Sequence, residues 1–249
     1  MPRIMTYNVH SCRGVDGKLD VGRIAAVIAQ CRPDIVALQE LDVGRKRTGT
    51  VDQAHDIATR LGMSFHFHAA VKVEEEEYGD AILTTLPERL VRSGPLPTLP
   101  RMRGLESRGA LWVAVEVDGV ELQVINTHLG LVPLEQRRQV ACLLGEDWAG
   151  NAGFKDPAIL LGDFNANTRY AVYRQLCSRL HDAQVGLRGR PRWRKTVATF
   201  PSRAPVLRID HMFVSPSIVV EDVHAPGGPL CRSASDHLPL VADFHIGKA

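Results

Sequence analysis

No run of apolar residues is long enough to span a bilayer or to form the core of a signal peptide, which argues against an integral membrane role. Cysteine is scarce and scattered. Cys12, Cys31, Cys142, Cys177 and Cys231 are odd in number and no two have zinc-like spacing, so neither a zinc ribbon nor a disulfide framework is expected. Free thiols in a reducing compartment follow, and the expected location is cytoplasmic. An excess of either charge is also lacking. The 30 Lys and Arg against 28 Asp and Glu leave a net charge of +2, so any grip on a polyanion would rest on local patches. No linker, low-complexity tract or convincing repeat interrupts the 249 residues. We expect residues 1–249 to form a single domain, and a hydrophobic content of 45% is enough for a sizeable core.

What the chain does have is alternation of strand and helix patterns. Ile4 to Val9 reads as a strand, and Asp20 to Cys31 as a helix with apolar Val21, Ile24, Ala25, Val27 and Ile28, closed off by Pro33. Asp34 to Gln39 is a buried strand ending at Glu40, followed by a helix around Val51 to Leu61. Strands are expected near Ser64 to Ala70, Asp80 to Thr85 and Leu90 to Arg92, then at Ala110 to Val117 and Leu122 to Asn126, joined by the turn Asp118-Gly119. A helix from Pro133 to Trp148 has Leu143, Leu144 and Trp148 in the core. A strand at Ala158 to Leu161 and a helix from Tyr170 to Leu180 follow. The tail is β-rich, with strands at Ala198 to Phe200, Arg208 to Val214, Ile218 to Val223 and Leu240 to Phe244. Strands gathered into two sheets with helices outside give a layered α/β sandwich.

Polar residues stand where the apolar runs stop: Asn8, Glu40, Asp80, His128, Asp163 with Asn165, Asp210 with His211, and Asp236 with His237. At any one position a turn or helix cap explains Asn or Asp. At all of them together it does not, because turns call for Gly, Ser and Pro, and neither Glu40 nor His128 is a turn former. The set supplies carboxylates for a hard cation, imidazoles for proton transfer and amides for phosphate oxygens.

The ordered segments Thr6-Tyr7-Asn8-Val9-His10, Leu38-Gln39-Glu40, Tyr78-Gly79-Asp80-Ala81-Ile82-Leu83, Asn126-Thr127-His128-Leu129, Gly162-Asp163-Phe164-Asn165, Arg208-Ile209-Asp210-His211 and Ser235-Asp236-His237-Leu238-Pro239 carry a resemblance. From end to end the chain resembles the endonuclease/exonuclease/phosphatase superfamily of deoxyribonuclease- and sphingomyelinase-like phosphoesterases, in particular its small bacterial members. The resemblance implies a four-layer α/β/β/α sandwich of two mixed β-sheets flanked by helices, Mg²⁺ or Mn²⁺ as cofactor, and phosphoester hydrolysis by in-line attack of water. Matched motif by motif, Glu40, Asn8 and Asp236 are the implied metal residues. Asp163 and Asn165 position the water and the phosphate, and His237 sits at the scissile phosphate with Asp210 fixing its tautomer. His128 is the implied donor to the leaving oxygen, where the apurinic endonuclease branch carries tyrosine, which counts against abasic-site repair. Asp80 replaces an asparagine common in relatives and is expected either to orient His128 or to alter the rim. Arg108 is expected to bind a phosphate oxygen, or else to form a strand-edge salt bridge.

Two charged segments could modify the rim. Arg45, Lys46 and Arg47 would make it positive, with Arg47 a substrate-binding candidate. Arg188 to Lys195, five cations and Trp193, reads as a flap for a polyanion or lipid head groups, or as a solvated loop. Glu74 to Glu77 opposes them, Asp42, Asp52 and Gln53 are expected near the entrance, and His55, His66, His68, His181, His224 and His245 have no ligand spacing. The resulting expectation is a metal-dependent phosphodiesterase acting on a phospholipid head group or small phosphodiester, with a membrane surface as a further partner. Two rivals stand beside it: a DNA or RNA endonuclease with nucleic acid as partner, and a catalytically silent binding module, against which the intact acidic and imidazole set argues.

Overall fold

The computed structural model describes residues 1–99, 104–185 and 196–247. Two six-stranded mixed sheets face each other. The first, in the order β11-β12-β1-β2-β4-β3, contains β1 (Arg3–Asn8), β2 (Ile35–Val43), β3 (Ser64–Val73), β4 (Glu76–Thr84), β11 (Ile218–His224) and β12 (Leu240–Ile246). The second, in the order β5-β6-β7-β8-β10-β9, contains β5 (Glu88–Pro95), β6 (Gly109–Val117), β7 (Val120–His128), β8 (Ala158–Asp163), β9 (His181–Asp182) and β10 (Asp210–Val214). Helices α1 (Val21–Cys31), α2 (Gln53–Leu61) and α5 (Pro229–Ala234) belong with the first sheet, and α3 (Pro133–Leu143) and α4 (Ala171–Cys177) with the second. This is the expected four-layer α/β/β/α sandwich. Among the described residues no helix is long and apolar enough to cross a membrane, and the five cysteines are free.

Local chemistry sets the elements. The Asp20 side chain accepts the Arg23 N–H and starts α1, which ends at Arg32 in the left-handed region (φ 50°) just before Pro33. Asp118 and Gly119 both have positive φ, 52° and 79°, as the tight β6–β7 hairpin requires. Strand alternation then sorts three apolar layers. Ile4, Ile35, Ala37, Val124, Leu161, Met212 and Leu240 fill the space between the sheets, while Met5, Val36, Leu38 and Val241 face α1, α2 and α5. Ile125, Leu160 and Phe213 pack under α3 and α4.

The inter-sheet rows do not stay apolar. Continued by twos toward one end, they reach Asn8 on β1, Asn126 and His128 on β7, Asp163 on β8, and Asp210 on β10. The candidate site is this polar end of the sandwich.

Four sequence expectations are corrected. β2 does not stop at Glu40. It runs to Val43 through a bulge in which Gln39 and Glu40 together oppose Asp80, with Glu40 at φ 62°. Asp80 is therefore inside β4 rather than at a strand end. The helix from Pro133 ends at Leu143, because Gly145 opens a series of tight turns, although Trp148 is buried as expected. Ala198 to Phe200 makes a single bridge, Phe200 to Leu207, because the neighbouring backbone groups are taken elsewhere, the Thr199 carbonyl by the Leu238 N–H and the Val197 N–H by the Gln184 side chain. The basic segment Arg188 to Lys195 lies outside the described residues.

Candidate active site

The amide of Asn8 lies at the centre of the polar end. Its Nδ2 donates to Glu40 Oε1 at 2.9 Å and to Asp163 Oδ2 at 3.0 Å, so one side chain spans carboxylates from both sheets. Beneath it Gln39 Nε2 donates to Asn126 Oδ1 (2.7 Å) and Thr6 Oγ1 (3.0 Å). Asn126 in turn donates to the Leu38 and Ala81 carbonyls across the sandwich, both at 2.9 Å. This buried network holds the strand pair from which the Glu40 bulge rises. Glu40 is half-buried, and no Lys or Arg pairs with it among the described residues.

His237, on the loop leading into β12, donates from Nδ1 to Asp210 Oδ2 at 2.9 Å, and its Nε2 is 3.7 Å from Asp163 Oδ2. The Thr199 hydroxyl also bonds Asp210. Burial alone would favour a neutral ring, but Asp210 and Asp163 outweigh it and push the His237 pKa up. Asp163 is itself pushed up by burial and by the charge of Asp210, against the pull of His237, the Asn165 N–H and Asn8. Opposite, His128 closes β7 with Nε2 3.6 Å from Asp163 Oδ2 and 3.9 Å from Glu40 Oε1.

The far side of His128 meets an arginine. Arg108 Nη1 lies 3.0 Å from His128 Nδ1, and Asn165 Nδ2 lies 3.1 Å from Nε2. Both ring nitrogens thus face donors, while a neutral imidazole has one free lone pair. The buried, always-charged Arg108 takes that lone pair, anchored on its other side by Glu106 at 2.9 Å. Nε2 then carries the ring proton and points it into the site. Burial, Arg108 and His237 together hold the His128 pKa well below its usual value, so the ring is neutral.

Glu40, Arg47, Arg108, His128, Asp163, Asn165, Asp236 and His237 all border one cavity of about 740 Å³. Asn8 and Asp210 support it from behind. Asp80 does not reach it: it is buried beneath the Glu40 bulge beside Arg108, takes the Glu40 backbone N–H, and is pushed up to about 8 by burial. It therefore lies behind the cavity wall, and among the described residues it meets His128 only through Arg108. Arg47 is locked bidentately on buried Asp42, with both bonds 2.7 Å. Asp42, Asp52 and Gln53 turn out to be structural: Asp52 caps α2, and Gln53 takes the Asp42 N–H and donates to the Ser11 carbonyl. Sequence reasoning missed His10, Arg13, Tyr170, Phe200 and Leu207 on the cavity wall and Thr199 behind Asp210. Only His10 lay inside a quoted motif.

The acidic end fits a hard divalent cation. Glu40 has no Lys or Arg partner among the described residues, the carboxylates lining the cavity (Glu40, Glu106, Asp163 and Asp236) outnumber its arginines (Arg13, Arg47 and Arg108), and the Asn8 oxygen, which accepts the His10 N–H, keeps a second lone pair. Asp163, Asp210 and His237 also bring donor atoms within 4.8 Å of one another. There, however, the Nδ1 hydrogen of His237 already occupies the Asp210 oxygen, so the ring is a proton-bearing bridge between two acids rather than a ligand.

A family model described as Endonuclease/Exonuclease/phosphatase family matches residues 5–237. No curated protein matches the chain significantly. Among solved structures, an endonuclease/exonuclease/phosphatase from Beutenbergia cavernae is 24% identical with a TM-score of 0.74, covering 100% of this chain and 72% of that one. A mannosyl-6-phosphatase from Bacteroides thetaiotaomicron is 22% identical with a TM-score of 0.73, covering 99% and 100%. The human Nocturnin catalytic domain with bound sulfate is 23% identical with a TM-score of 0.73, covering 98% and 93%. At these identities the likeness is one of fold.

Proposed function

The chain belongs to the endonuclease/exonuclease/phosphatase family, whose members are hydrolases of phosphoester bonds and generally need a divalent metal; from that premise we infer that it is a Mg²⁺- or Mn²⁺-dependent phosphodiesterase acting on a phospholipid head group or small phosphodiester. One observation carries the reading: Glu40, Asp163, His128 and His237 converge on a single cavity, tied across two sheets by the Asn8 amide.

Glu40, helped by Asn8 and Asp236, would hold the cation, which when bound neutralises charge on the phosphoryl oxygens. Asp163 and Asn165 orient the attacking water, and the raised pKa of Asp163 suits it to take the proton. His237, kept protonated between Asp210 and Asp163, faces the charge that builds on the pentacovalent phosphorus and can protonate the departing oxygen. His128 differs from the role the family resemblance implies. Neutral and fixed by Arg108, it serves as a hydrogen-bond donor to a phosphoryl oxygen rather than as an acid.

The test is a screen with Mg²⁺ and Mn²⁺ of bis-p-nitrophenyl phosphate, p-nitrophenyl phosphate, phospholipids, plasmid DNA and RNA. We expect diester turnover that stops with EDTA, returns with metal, and falls on the order of 100- to 1000-fold in His237→Ala. Turnover of the monoester alone, or turnover unaffected by chelation, would refute the reading. Cleavage of plasmid DNA that falls steeply with salt, without small-diester turnover, would favour a nuclease.

A further inference from the structure

The two walls of the cavity differ. Beside Glu40, Tyr78 and Asp236, the first sheet contributes His10, Ser11, Arg13, Arg47 and Thr48, a polar face on which Arg13 has no carboxylate partner among the described residues. The second sheet's side, beside Glu106, Asn167 and the site groups, contributes three exposed large apolar side chains, Leu131, Tyr170 and Leu207. They sit on three separate loops, three residues past His128, five past Asn165 and three before Asp210. Phe200 joins them: its ring packs on His237 at 4.8 Å between centroids, and its backbone pairs with Leu207. An apolar track therefore starts at the two histidines and leads outward.

These side chains are not spare core. Leu131 is 71% exposed and Leu207 43%, and beyond the cavity edge Leu134, in the first turn of α3, is 54% exposed and Val206, next to Leu207, 75%. Large apolar side chains scattered singly on a surface need no explanation, but several converging on one mouth mark a ligand surface. The cavity is also far larger than a phosphate needs, within the roughly 300–1,000 Å³ of pockets that enclose whole small ligands.

We propose that the Leu131–Tyr170–Leu207 wall is a subsite for an apolar ester group, so that the substrate is a phosphodiester with one apolar alcohol and one polar substituent. The polar substituent lies toward Arg13. The proposal rests on the phosphodiesterase reading above and names its substrate class.

The test is a series of alkyl p-nitrophenyl phosphates from methyl to hexyl, assayed with Mg²⁺ and with Mn²⁺. A buried methylene strengthens binding about fourfold at most, so kcat/KM should climb roughly 2- to 4-fold per carbon over the first few carbons. In Leu131→Ser/Leu207→Ser the hexyl-to-methyl ratio should collapse toward one. A flat series in the wild-type enzyme overturns the subsite while leaving the phosphodiesterase reading intact. Failure to hydrolyse any diester, with the monoester still turned over, overturns the underlying reading instead. Leu134→Ser/Val206→Ser, neither residue lining the cavity, tells where the apolar group comes from. Slower turnover of phosphatidylglycerol in vesicles, with monomeric dihexanoyl-phosphatidylglycerol unaffected, assigns it to a bilayer. Equal turnover of both lipids, compared with wild type, assigns it to a dissolved ester.

Discussion

In each sheet a parallel pair is joined by a helix, β1–β2 through α1 and β7–β8 through α3, and each pair is flanked by antiparallel strands, β12 and β4 in one sheet and β6 and β10 in the other. Laid over one another, the sheets pair Asn8 with His128, Glu40 with Asp163, Asp80 with Asp210, and His237 with Arg108, the last two leading into β12 and β6. The acids on the flanking strands then exchange partners between sheets. His237, of the first sheet, bonds Asp210 of the second, and Arg108, of the second, sits beside Asp80 of the first. One exchange involves a group that can gain or lose a proton, the other a group that cannot. The same plan has thus been used twice, once for proton handling and once for fixed charge.

The largest test of this asymmetry compares the two acids. Asp210→Asn should lower kcat on the order of 100-fold or more by removing the support of the His237 charge, whereas Asp80→Asn should cost less than about tenfold. Equal losses in steady-state assays would erase the distinction. Next comes how each sheet brings its main carboxylate to the site. The first uses the bulge at Glu40. The second uses Gly162, at φ 145°, where an added Cβ would lie 1.8 Å from the Thr127 carbonyl oxygen. Gly162→Ala should therefore destabilise by about 1–3 kcal/mol in chemical denaturation, with activity falling as β7 and β8 separate.

A third comparison is in pH. His211 follows Asp210 where Ala81 follows Asp80, and it donates from Nε2 to the Ala166 carbonyl at 2.8 Å. Burial, then Arg208, hold its pKa down at about 4 against 6.5 in an unfolded chain. Between those values the unfolded state binds the extra proton, so the contribution of His211 to stability is full above pH 6.5 and is lost as pH drops toward 4, by up to roughly 1.4 kcal/mol per pH unit. In urea unfolding at pH 5 and pH 7, the stability difference between wild type and His211→Phe should change by that amount, because the other titrating groups are common to both proteins. The smallest effect concerns His128. Its amide mimic, His128→Gln, keeps an N–H donor and should retain about tenfold more activity than His128→Ala, whereas a residue acting as an acid would leave the two variants equal.

The fold was legible because strand, helix and turn signals agreed along the chain. The candidate site was legible because each inter-sheet row of apolar side chains ends in a polar one. What escaped was geometry between segments far apart in sequence. The partner of His128 is Arg108, just before the neighbouring strand of a hairpin, and although the sequence marks Arg108 as a candidate for phosphate, nothing in it joins the two residues. Thr199, which supports Asp210, lies in a stretch with no chemical signal. The bulge did leave a trace, since Leu38 and Leu41 both face the helices although their spacing of three breaks the alternation of a regular strand. Gly145 likewise marked the early end of α3.

Most of what joins the two sheets is hydrocarbon, whose burial is non-directional and does not by itself name one alignment of the sheets. The Asn126 side chain does name one, because its two N–H groups must meet one carbonyl on each of two neighbouring strands of the opposite sheet. The loops around the mouth can therefore lengthen, shorten or change character without altering the spacing of the acids below them.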